Sequence, residues 1–70
     1  MKQDVWELRL QTTTEDIPIM DLPMVKRGTF LQVDGYAIAE GYKWKSMAGH
    51  MMGGYFVHPN GNVLHPVYRP

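Results

Sequence analysis

Three histidines, His50, His58 and His65, all fall beyond residue 41, and imidazoles that converge can hold zinc or copper. Whether His58 and His65 share a face depends on the turn between them. A two-residue Asn60-Gly61 loop pairs His58 with Val63 and sets both rings on one face. A three-residue Pro59-Asn60-Gly61 loop pairs His58 with Asn62 and sets them on opposite faces. The proline favours the longer loop, a type I turn closed by a left-handed glycine. With no cysteine anywhere and no carboxylate after Glu40, these histidines are expected to pack or to face solvent, not to bind metal. Met47, Met51 and Met52 with His50 make a soft donor set of the kind that suits Cu(I). Methionine is equally the adaptable residue of contact surfaces, and the spacing matches no metal motif, so a plastic contact loop is the expectation.

The residues of covalent and acid–base catalysis are thinly represented. Ser46 is the only serine and lacks a G-x-S-x-G setting. No H-E-x-x-H, phosphate-binding loop or dinucleotide fingerprint occurs. Glu7, Glu15, Asp16 and Asp21 are expected to be solvated acids. The expectation is a protein that is not an enzyme and carries no cofactor.

Binding is the chemistry the residues suit better. Tyr42-Lys43-Trp44-Lys45 interleaves rings and cations, and bases of a single strand stack on such rings while lysines meet phosphates. Seven basic residues against seven acidic ones give too weak a positive field for a typical nucleic-acid binder. A protein partner, or a second copy of the chain, is therefore favoured, with nucleic acid as the alternative. The expected contact set is Tyr42, Lys43, Trp44, Lys45, Met47, Met51, Met52 and Tyr55, because Trp, Tyr and Met are enriched at interface cores. A small regulator or inhibitor of a larger protein fits this pattern.

These residues must be positioned by a short chain. Seventy residues with seven glycines and five prolines point to one turn-rich domain spanning residues 1–70. A domain this small buries only about 60% of its unfolded surface, and without cysteine it has no disulfide staple. No stretch approaches the ~20 apolar residues of a membrane span, and no apolar leader is visible at the start. A soluble cytoplasmic protein is expected. All seven acids precede Gly41, so residues 1–40 sum to −3 and the remainder to +3.

Trp6, Leu8 and Leu10 alternate with Glu7, Arg9 and Gln11, the period of a half-buried strand, although Asp4 and Glu7 also have capping-box spacing. Ile17–Met24 is apolar but broken by Pro18 and Pro23, which suggests an extended strap over the core with a short edge strand. Asp34-Gly35 between Thr29–Val33 and Tyr36–Glu40 predicts a two-residue hairpin, continued by Tyr42 and Trp44. Ser46 to Gly54 should form a mobile loop or a single helical turn, and Tyr55–His58 and Asn62–His65 a second hairpin ended by Pro66 and Pro70. The fold class is mainly β: a small antiparallel barrel or curled sheet of four to five strands with little helix.

Overall fold

A computed structural model describes residues 5–12, 14–47 and 53–69. Within them the chain forms one five-stranded antiparallel sheet and one short α-helix. The strands are β1 (Val5–Gln11), β2 (Met24–Gly28), β3 (Lys43–Ser46), β4 (Gly54–Val57) and β5 (Val63–Arg69), and the helix is α1 (Phe30–Ala39). Their order across the sheet is β2-β1-β5-β4-β3. The first and last strands of the chain's long ladder, β1 and β5, pair along their full length from Val5–Arg69 to Gln11–Val63. The pairing of β4 with β5 stops after Phe56–Leu64 and Val57–Val63. The sheet curls and stays open, with β2 and β3 as its edges.

The alternation in β1 sets the two faces. Leu8 is fully buried, and Trp6 and Leu10 pack beside it, against a cluster formed by Val33 and Ala37 of the helix with Phe56 and Leu64. Glu7, Arg9 and Gln11 point to the opposite face, as a period of two requires. The second hairpin has the three-residue loop: His58 N–H donates to the Asn62 carbonyl, Gly61 N–H donates to the His58 carbonyl, and Gly61 has φ +96°.

The first hairpin does not exist. Phe30–Ala39 is helical, capped by Thr29 and Glu40, and Asp34-Gly35 lies in the middle of α1. Signals at both ends of the segment outweigh the turn dipeptide. Thr29 caps the N-terminus and accepts from Gln32 N–H, while the Gln32 side chain accepts from Thr29 N–H; this reciprocal pair is a capping box. At the other end Gly41, with φ +93°, donates to the Ile38 carbonyl and Tyr42 donates to the Ala37 carbonyl. These are the two bonds of a Schellman stop, which needs a left-handed residue at the glycine. Between the caps, Val33 and Ala37 are spaced to bury one helical face.

Two further expectations change. Ile17–Met24 does form an extended strap with a 3-10 turn at Ile19–Asp21 and leads into the edge strand β2. It buries only Leu22, leaving Ile17, Ile19, Met20 and Met24 exposed. Leu22 also stands apart from the helix-side cluster. Arg9 Nη1 donates to the Leu22 carbonyl at 3.0 Å and Arg69 Nη2 approaches Met20 Sδ at 3.8 Å. Both arginines belong to the sheet face opposite the helix, so the strap lies on that face. Pro66 does not end pairing. It sits within β5 opposite Leu8, beyond the point where the β4 ladder stops, so a strand neighbour remains on one side only. Pro70 lies outside the described residues.

Candidate protein-binding edge

The acid-free end of the sequence becomes one end of the molecule, because strand order places β5, β4 and β3 side by side. At its margin all four residues of β3 are exposed. Its register against β4 runs Lys43–Val57, Trp44–Phe56, Lys45–Tyr55 and Ser46–Gly54. One residue further, Met47 N–H donates to the Gly53 carbonyl at 3.1 Å. Antiparallel ladders alternate bonded and non-bonded pairs. Lys43 and Lys45 therefore turn their backbone groups toward β4, and Trp44 and Ser46 direct theirs to the open edge.

Trp44 is held firmly although 40% of it is exposed. Its ring packs edge-to-face on the buried Phe56, centroids 4.9 Å apart. Gly54, opposite Ser46, leaves the room: a Cβ there would collide with the Trp44 ring. A fixed, half-exposed indole loses little freedom on contact, which is the property of an interface anchor.

The other expected contact residues divide between faces. Tyr42 shares the helix side with Trp44 but packs against the core, with its ring 5.0 Å from that of His58. Lys43 and Lys45 lie on the opposite face and are exposed. Tyr55 lies there too, half-buried, its ring 6.3 Å from His65. Met47 is exposed beside the strand end. Met51 and Met52, with His50, lie outside the described residues. Trp6, on the same side of the sheet as Trp44, packs against Phe30 and Tyr68.

His58 and His65 fall on opposite faces, and among the described residues no three His, Asp or Glu side chains converge. His65 shares a 2.7 Å hydrogen bond with Gln11 Oε1, and burial holds its imidazole below the usual histidine range. On the same face Glu7 accepts from Arg9 at 2.8 Å and from Arg69 at 3.4 Å. Those guanidiniums, Arg9 foremost, keep its carboxyl below the usual carboxylate range against the opposing effect of burial. Glu7 is thus not the solvated acid expected of it: alternation in β1 sets it on one face with Arg9, and Arg69 joins the pair through the β1–β5 register.

The helix carries a surface that sequence reading missed. Leu31 is 82% and Ile38 59% exposed, seven residues apart and therefore on one face, opposite Val33 and Ala37. Compared with known proteins, the chain matches no family model, no curated protein and no solved structure.

Proposed function

We propose that this protein is a non-enzymatic binding module, a small regulator or inhibitor that attaches to a larger protein, with Trp44 on the open edge of β3 as its anchor. The observation that carries this is the packed, half-exposed indole on an edge strand that pairs with no further strand among the described residues. An edge of that kind is a template for another chain. The exposed apolar residues of the strap and of α1, on opposite faces of the sheet, support the same class of role, since large exposed apolar side chains on a small domain favour contact with other macromolecules. The absence of cysteine fits work in a reducing compartment such as the cytoplasm.

Single-stranded nucleic acid remains the second candidate because Trp44 and Lys43 and Lys45 are adjacent in the chain. The strand separates them, however: rings face one side and cations the other, so a base stacked on Trp44 has no lysine beside it on that face. Capture from cell extract with and without nuclease, using the full chain and its Trp44→Ala variant, tests the choice. A nuclease-resistant protein partner lost with Trp44→Ala is the expected result. The half-exposed ring makes the stability loss smaller than the ~3–5 kcal/mol of a fully buried aromatic. A folded Trp44→Ala protein that retains every partner overturns the proposal.

A further inference from the structure

We propose that the free edge of β3 takes up an extended acidic segment of another protein as a sixth strand, one whose side chains alternate between carboxylate and apolar. This rests on the protein-binding role above and adds the chemistry of the partner.

Backbone geometry sets the register. An added strand bonds to Trp44 and Ser46, whose N–H and C=O groups face outward. Lys43 and Lys45 then occupy the non-bonded positions of the new ladder, where facing side chains come closest, with Cα atoms about 4.5 Å apart. Both lysines are exposed and lie on one face, so two residues of the incoming strand, also two apart, stand opposite them. No Asp or Glu occurs in the chain beyond Glu40, so β3, β4 and β5 supply these lysines no carboxylate of their own. Opposite charges facing across a ladder stabilise it. Between those two positions one residue falls opposite Trp44 on the other face, where an apolar side chain covers the indole.

A second copy of this chain is disfavoured on the same edge in the register that joins the two indoles. Antiparallel pairing centred on Trp44 sets Lys43 of one copy against Lys45 of the other, and like charges directly opposite are destabilising. Edge lysines are a common device against self-pairing. Here the same two charges oppose that self-pairing register and favour an acidic strand.

The test titrates the labelled full chain with a heptapeptide alternating glutamate and valine. Its comparators are a lysine–valine and a serine–valine alternation, a peptide with the same glutamates in one block, and oligothymidylate. The glutamate–valine peptide is expected to protect the Trp44 and Ser46 amides from solvent exchange. It should bind about tenfold tighter than the serine–valine peptide, as two facing charge pairs allow. The double variant Lys43→Glu with Lys45→Glu should invert the preference toward the lysine–valine peptide. Ser46→Pro removes an edge N–H that no internal bond uses, so it should weaken every strand peptide while leaving the unfolding midpoint in place. Equal binding of the blocked or lysine–valine peptide overturns the proposal. So does oligothymidylate binding that is indifferent to Ser46→Pro, which would mark a simple anion patch. If the serine–valine peptide binds β3 as well as the acidic one, the partner's chemistry is wrong but the binding edge stands. If no peptide alters β3 and Trp44→Ala retains every captured partner, both fall.

Discussion

Gly35 and Gly54 are the same residue type with opposite consequences. Gly35 lies in the interior of α1, and a Cβ there meets nothing within 4 Å. Glycine in a helix interior costs up to ~1 kcal/mol relative to alanine. Gly35→Ala should therefore raise the denaturant midpoint by roughly that stability. Gly54→Ala should lower the midpoint, because the new methyl displaces the Trp44 ring. The two titrating groups opposite the helix also make a prediction. Both have folded values below their ordinary ones, 6.5 for His65 and 4.5 for Glu7. In each case the unfolded chain binds a proton more readily than the folded one, so stability falls as pH falls. The loss begins below about 6.5 through His65 and resumes below about 4.5 through Glu7. Chemical denaturation followed from about pH 8 to about pH 2 should show that His65→Gln flattens the first decline and spares the second.

Among the elements, α1 is the one whose formation most needs explaining. Its mid-helix Asp34-Gly35 is a strong hairpin signal, yet two complete caps and the burial of Val33 and Ala37 prevail. The N-cap should be worth about 1 kcal/mol. Thr29→Ala is expected to lower the unfolding midpoint accordingly, and Thr29→Ser to restore it. A Thr29→Ala protein as stable as the parent would mean that tertiary packing alone holds the helix. Strand β5 makes a related point. Proline is tolerated at Pro66 because a strand with one remaining ladder tolerates a missing donor.

For the molecule as a whole, one modest core carries the fold, and much apolar surface lies outside it. Leu8, Val33, Ala37, Phe56 and Leu64 form the cluster, while Leu31 and Ile38 touch little of it. Phe56→Ala should cost ~3–5 kcal/mol, enough to unfold a domain of ordinary marginal stability. Leu31→Lys and Ile38→Lys should change stability by no more than about 0.5 kcal/mol. Paired thermal melts of the three variants check this. A large loss from either helix substitution would mean that the stripe is part of the core after all.

The strand β1 and the Pro59-Asn60-Gly61 hairpin were legible in the sequence, because each is specified by neighbours: strict alternation, or a turn whose proline and glycine fix its dihedrals. Tyr42 and Trp44 were expected only to continue a first hairpin, whereas Lys43–Ser46 forms a separate strand against β4. The capping pair Thr29 and Gln32 and the stop at Gly41 are equally local, but the same segment carries an Asp-Gly turn dipeptide between alternating residues, and only burial of Val33 and Ala37 against the sheet decides between the two. Other features belong to no local pattern. The sequence placed acids early and cations late, but only the order β2-β1-β5-β4-β3 gathered the acid-free strands into one end of the sheet. It named Trp44 and the lysines, but only the β3–β4 register decided which backbone groups face outward and which side chains flank them. Likewise the strap's burial depended on which face it crossed. Alternation determines what a strand can present, since side chains reverse at every residue; pairing between distant segments determines what it presents it to.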